Sequence, residues 1–378
     1  MAKTNLHKLA ELGQSPWLDN IRRSWITSGE MQRMIDLGIL GVTANPTIFE
    51  KAISGSTDYD DAIRRLVRAG RSVEEILRAL IVGDIGDTAD LFRPVYERTE
   101  ARDGYVSIEV APALAHDTEG TIQEAQGFWD TLQRPNIFVK VPATDEGIPA
   151  IEELLYRGIN VNITLIFGVD VHKRVMEAYL SAVERRVDKG KDVSRLASVA
   201  SFFVSRVDTK ADKMLQELLD KEQDPERRAL IQSLMGTTAI NNSKMAYQEF
   251  LNTFKGDRWE RLKAKGARVQ RPLWASTSTK NPAYRDVMYV EELIGPDTVN
   301  TMPRETLEAV LDHGVIRGNT LEEDVDGARK VFEDFKAAGI DYDDVVETLE
   351  REGVEKFAKS FRDLFSDLES KRDQLVAA

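Results

Sequence analysis

The chain has 378 residues, 42% of them apolar, and carries 51 Lys plus Arg against 64 Asp plus Glu, a formal net charge of −13. It contains no Cys, which excludes disulfides, thiolate nucleophiles and Cys-ligated metals. The acidic balance argues against nucleic acid or an anionic membrane as the main partner, so an anionic substrate would need a local cluster of Arg and Lys.

At roughly 150 residues per domain this length fits two or three domains, but also one (β/α) barrel with insertions. No Pro-rich, Gly/Ser-rich or single-charge block divides the chain, so one domain over 1–378 is expected. The first residues carry no apolar signal core, and no stretch approaches roughly eighteen uninterrupted apolar residues. A soluble, unprocessed cytoplasmic protein is expected, and monomer and homodimer both stay open.

In chain order, β-rich runs recur at residues 15–19, 41–45, 106–110, 137–141, 161–167, 197–204, 272–276 and 299–302. Between them apolar residues return at spacings of three and four, as at 62–66, 76–80, 151–155, 171–183 and 240–250, which predicts helices. Strands alternating with helices predict an α/β protein with a parallel sheet, and eight strands close a (β/α)8 TIM barrel. An open doubly wound sheet would call for a Gly-rich phosphate turn, and the chain has neither G-x-G-x-x-G nor a Walker A sequence. Two polar, helical stretches exceed what a barrel needs, at about 209–269 and 320–378. Neither has strands of its own, so both are expected as elaborations on the barrel exterior.

Strands covered on both faces read as near-continuous apolar runs, so charges inside them need an explanation. In Ile137-Phe138-Val139-Lys140-Val141-Pro142 an amine stands between two valines, and Pro142 ends the ladder by withholding a donor. Lys140 is therefore expected at a strand's carboxyl end, the active-site face of a barrel. The plain alternative is a strand-end lysine that snorkels to water. Glu109 is a second charge in an apolar run, Asp19 closes Trp17-Leu18-Asp19, and Asn45 stands before Pro46. Asn162 and Thr164 are two apart and share a strand face. Singly, each has an ordinary explanation as a helix cap or a hydroxyl satisfying a carbonyl, Asn45 most of all. Together, an amine and two carboxylates among five strand ends point to carbonyl chemistry through a Schiff base.

The segments Gly41-Val42-Thr43-Ala44-Asn45-Pro46-Thr47-Ile48-Phe49 and Ile137-Phe138-Val139-Lys140-Val141-Pro142-Ala143-Thr144 resemble the two signatures of transaldolases, lysine-dependent enzymes of the non-oxidative pentose phosphate pathway. The resemblance continues through Ser107-Ile108-Glu109-Val110, Asn162-Ile163-Thr164-Leu165-Ile166-Phe167, Ala200-Ser201-Phe202-Phe203-Val204-Ser205-Arg206 and Trp274-Ala275-Ser276-Thr277. It covers about residues 17–302 and implies a (β/α)8 barrel, as the strand count does independently.

The resemblance implies transfer of a dihydroxyacetone unit from sedoheptulose 7-phosphate or fructose 6-phosphate to glyceraldehyde 3-phosphate or erythrose 4-phosphate. Lys140 would form the Schiff base, and Asp19 would take and return the C4 hydroxyl proton. Glu109 and Thr164 would hold a proton-relaying water. Asn45 and Asn162 would bind the dihydroxyacetone hydroxyls with Ser201 nearby, and Arg206 would take the phosphate. Ser276 belongs to the Ala-Ser pair that the family's second phosphate cation closely follows; here Thr277-Ser278-Thr279 intervenes before Lys280. No metal or other cofactor is implied. The alternative is an aldolase of the fructose 6-phosphate type, which releases free dihydroxyacetone. Phe203 shares a strand face with Ser201, and an apolar ring there would keep water from the enamine and favour transfer.

Glu322-x-Asp324-x-Asp326-Gly327, followed by Glu333, resembles a calcium-binding EF-hand loop with Glu at its first position. Leu321, Val325, Ala328, Phe332 and Phe335 instead fall at helical spacing, and Arg329 stands where that loop wants an apolar residue. One continuous acidic helix and no calcium site are expected. His7, His116, His172 and His313 are scattered, so no His-rich zinc site is expected either.

Overall fold

The computed structural model describes residues 3–377. Eight parallel strands close into a barrel in sequential order: β1 (Gln14–Asp19), β2 (Val42–Thr43), β3 (Val106–Glu109), β4 (Ile137–Pro142), β5 (Val161–Ile166), β6 (Ser198–Phe203), β7 (Arg271–Ala275) and β8 (Thr298–Met302). β8 pairs back onto β1. Each predicted run overlaps one of these strands, to within a residue at every end except the carboxyl end of β2. The largest shortening is at β2, where Ala44 and Asn45 leave the ladder because Asn45 caps the helix Pro46–Ser54, its side chain accepting from the Ile48 amide at 3.1 Å.

Burial on both faces explains why the strands are so apolar: every residue of β4 to β8 is buried. The predicted helices lie within Asp60–Arg68, Val73–Arg98, Gly147–Arg157, Val169–Asp188 and Thr238–Thr253. At the amino ends of the strands Arg271 pairs with Asp103 at 3.1 Å, while Ser15 and the Trp17 indole donate to the same carboxylate at 2.8 and 3.2 Å. This network ties the amino end of the barrel together, and the cavity opens at the opposite end.

Two expectations are corrected. The acidic segment at 321–335 is not one continuous helix: residues 321–324 turn, and the helix is Val325–Ala338. Asp324 is its N-cap, at φ +50, and accepts from the Gly327 amide at 3.1 Å. An aspartate that can satisfy an orphan helical N–H does so in preference to continuing a helix upstream, which helical spacing alone does not reveal.

The second correction concerns the chain's end. The 36-residue helix Tyr342–Ala377 does not lie on the barrel exterior but crosses its mouth. At its start the Tyr342 hydroxyl donates to Asn242. Near its far end Lys371 donates to the Ile53 carbonyl at 2.9 Å and pairs with Asp60 at 2.9 Å. Two glycines permit the crossing. A Cβ at Gly168 would stand 2.8 Å from Val346, and one at Gly353 would stand 3.0 Å from Leu165 at the end of β5. A glycine inside a helix costs about 1 kcal/mol relative to alanine, which here is offset by the close approach it allows. Among the described residues no helix is long and apolar enough to cross a membrane.

Candidate active site

At the carboxyl ends of the strands lies a cavity of about 830 Å³, walled by the barrel and roofed by the C-terminal helix. Lys140 reaches it from β4. Parallel register sets Glu109 of β3 and Asn162 of β5 beside Lys140, so the three side chains share one face. The ammonium stands 3.2 Å from the Glu109 carboxylate and 3.4 Å from the Ala44 carbonyl oxygen. The side chains of this pair are only 6% and 7% exposed, so Lys140 does not snorkel to water.

Asp19 ends β1 on the same cavity. The Thr43 hydroxyl donates to it at 2.7 Å and lies 2.7 Å from the Thr301 hydroxyl, which fixes the carboxylate's direction. Burial raises the Asp19 pKa above the usual carboxylate range, with Lys140, Thr43 and Arg206 pulling it back. Burial raises Glu109 likewise, against the opposing pull of Lys140. A raised carboxyl pKa suits a group that must take up a proton and return it.

Asn162 is fully buried, donates to Ser107 at 3.1 Å and accepts from Ser201 at 2.6 Å. Ser201 in turn lines the cavity. Thr164 also lines it, and its buried hydroxyl has no hydrogen-bond partner among the described residues, an orphan that a bound polar molecule would satisfy. Asn45 does two jobs, capping its helix as the plain reading expected while also lining the cavity.

Phe203 packs its ring 5.2 Å from that of Phe167, and the Arg206 guanidinium lies 4.9 Å from the Phe203 centroid. Arg206 forms no ion pair among the described residues, so its donors remain available to a ligand. Ser276 lines the cavity at φ +58, and its carbonyl accepts from the Ser205 amide at 3.0 Å, tying the end of β7 to the start of the helix that bears Arg206. Lys280 is exposed at the rim and donates to Ser278 at 2.7 Å.

Sequence reasoning missed Thr43, Lys356 and Phe357. The Phe357 ring lies 5.9 Å from the Lys140 ammonium and 5.5 Å from the Arg206 guanidinium, so the C-terminal helix covers both. Lys356 lines the cavity, and the nearby charge of Arg206, then burial, then Lys280 and Lys51, hold its pKa below the usual lysine value. The one available signal was Gly353 inside an otherwise ordinary helical pattern. His172 is buried against Phe202 at 5.8 Å, and burial lowers its pKa to about 4, so it stays neutral in the core.

The arrangement joins a buried amine, two carboxyls of raised pKa and a cationic rim, a set suited to a carbonyl compound that carries an anion. A family model described as transaldolase/fructose-6-phosphate aldolase matches residues 16–368. The chain belongs to the transaldolase/fructose-6-phosphate aldolase family. It is 47% identical over 379 residues to a protein named transaldolase from Trichodesmium erythraeum, covering all of both chains. A transaldolase from Acidothermus cellulolyticus is 50% identical over 360 residues, 95% of this chain and 94% of the relative. One from Mycobacterium leprae is 44% identical over 374 residues, 98% of each. In this transaldolase-family chain the match extends well past residue 302 and takes in most of the helix that roofs the cavity.

Proposed function

We propose that the chain is a transaldolase that moves a dihydroxyacetone unit from sedoheptulose 7-phosphate or fructose 6-phosphate to glyceraldehyde 3-phosphate or erythrose 4-phosphate. The observation that carries the reading is the buried Lys140 amine, 3.2 Å from Glu109, in one cavity with Asp19 and Arg206.

Lys140 adds to the C2 carbonyl, and loss of water leaves a Schiff base, with Glu109 and the open hydroxyl of Thr164 beside the proton transfers. Asp19 takes the C4 hydroxyl proton as the C3–C4 bond breaks. The bond's electrons pass to the imine nitrogen, giving an enamine, and an aldose phosphate departs. The enamine then attacks the acceptor aldehyde, Asp19 returns its proton to the new hydroxyl, and hydrolysis frees the new ketose and Lys140. Asn45 and Ser201, the latter held by Asn162, take the dihydroxyacetone hydroxyls, and Ser276 and Lys280 stand on the side of the phosphate. Phe203, with its ring in the cavity wall, supports transfer over release of free dihydroxyacetone, since it offers an approaching water no hydrogen bond. Sugar phosphates are thus the partners, and the cytoplasm, where they are made and used, is the location this reading carries.

Borohydride added with fructose 6-phosphate is expected to inactivate the enzyme by reducing an adduct on Lys140, read by peptide mass mapping, because only the Schiff base offers a reducible carbon–nitrogen double bond. An adduct on any other lysine overturns the assignment. Arg206→Ala is expected to raise the KM for fructose 6-phosphate by about 10- to 100-fold, because a guanidinium binds the phosphate fork and not the reacting carbons. Trapping of unphosphorylated dihydroxyacetone should change far less. An equal loss for both would make Arg206 a structural residue.

A further inference from the structure

A sugar phosphate brings a charge of roughly −1.5 to −2 into the cavity at neutral pH. One guanidinium leaves much of that charge unbalanced. Arg206 offers its donors from the barrel side, on the helix Ser205–Leu219. Lys280 is exposed, and its ammonium is engaged with Ser278. The roof offers a better placed cation.

Lys356 lines the same cavity from the C-terminal helix, one residue before Phe357, whose ring lies 5.5 Å from the Arg206 guanidinium. The helix therefore brings the Lys356 backbone close to Arg206. Lys140 and Lys210, which share this cavity, are paired with Glu109 and Glu352 at 3.2 and 3.0 Å, whereas Lys356 has no ion pair among the described residues. Arg206 is the first of the groups that hold down its pKa, ahead of burial, Lys280 and Lys51, and Arg206, Lys280, Lys51 and Lys356 all line the one cavity, so like charges converge there. In a chain of net charge −13, such a convergence is costly unless an anion occupies it.

We propose that Lys356 is the second phosphate-binding cation of this site, so that the phosphate of a bound sugar bridges Arg206 on the barrel to the C-terminal helix. The proposal rests on the reading that the substrate is a sugar phosphate. Its consequence is that the phosphate holds down the helix that carries Phe357, and a phosphorylated ketose closes the roof over the Schiff base it forms. Unphosphorylated dihydroxyacetone has no such hold.

Lys356→Met keeps the aliphatic stem and removes the charge. The variant is expected to raise the KM for fructose 6-phosphate and the inhibition constant of inorganic phosphate by about 10- to 100-fold each, with a smaller change in kcat. Borohydride trapping of dihydroxyacetone on Lys140 should proceed at the wild-type rate, and Lys356→Arg should restore phosphate affinity. Lys51→Met, made alongside, should shift both constants by less than about threefold. Unchanged phosphate affinity in Lys356→Met overturns the proposal, as does a larger loss in Lys51→Met. Equal loss of dihydroxyacetone trapping also overturns it, since Lys356 would then only support the roof. If the wild-type enzyme traps no adduct on Lys140, the functional reading fails and takes the proposal with it. If trapping stands while phosphate affinity is unmoved, only the role of Lys356 falls.

Discussion

Replacing Lys140 by alanine is expected to lower turnover by on the order of 10⁴-fold or more while the barrel still folds. The amine is the atom that bonds to the substrate, and Lys210, which lines the same cavity, is engaged with Glu352 at 3.0 Å. Its removal strands Glu109, which loses a cation at 3.2 Å. Glu109 already has a raised pKa from burial, so it takes up a proton instead of remaining a bare buried charge. The melting temperature should therefore move little, and turnover and melting are the two measurements to set side by side. Turnover above about one per cent of wild type would place the nucleophile on another amine.

Asp19→Asn is expected to lower turnover by about 10²- to 10⁴-fold yet still yield the borohydride-reducible adduct at Lys140. The amide accepts no proton from the C4 hydroxyl, so the reaction stalls after the Schiff base and before the carbon–carbon bond breaks. The Thr43 hydroxyl still has an oxygen to donate to, so the side chain keeps its direction. There is a pH signature as well. Asp19 must be ionised to act as base, and burial raises its pKa, so wild-type kcat should fall on acidification from a higher pH than for an ordinary carboxylate. That limb should vanish from the residual activity of the variant. Loss of trapping together with turnover would move Asp19 to the step that forms the Schiff base.

The raised pKa values and the open cationic rim belong together. Burial raises the pKa of Asp19 and Glu109, and the long helix laid across the barrel mouth sets the Phe357 ring 5.9 Å from the Lys140 ammonium beside them and 5.5 Å from the Arg206 guanidinium. The strength of the site's electrostatics is thus a property of the roof as much as of the strands.

The sequence by itself determined the barrel and most of the chemistry on its strands. Eight apolar runs separated by helical periods have few other closed solutions, and a charge in a strand covered on both faces announces a site from its nearest neighbours alone. Lys140, Glu109 and Asp19 were readable for that reason, each set against residues within a few positions of it. Tertiary structure decided what those periods cannot encode. That Asn45 caps a helix while lining the cavity, and that Asp324 starts a helix rather than riding in one, depended on a choice among hydrogen-bond partners. That the C-terminal helix roofs the mouth depended on contacts far apart in sequence, such as Phe357 with Arg206 and Lys371 with the Ile53 carbonyl. An amphipathic helix shows in its own sequence that one face will be buried, but the partner of that face is chosen by the shape of the rest of the fold, here through the clearance left by Gly168 and Gly353.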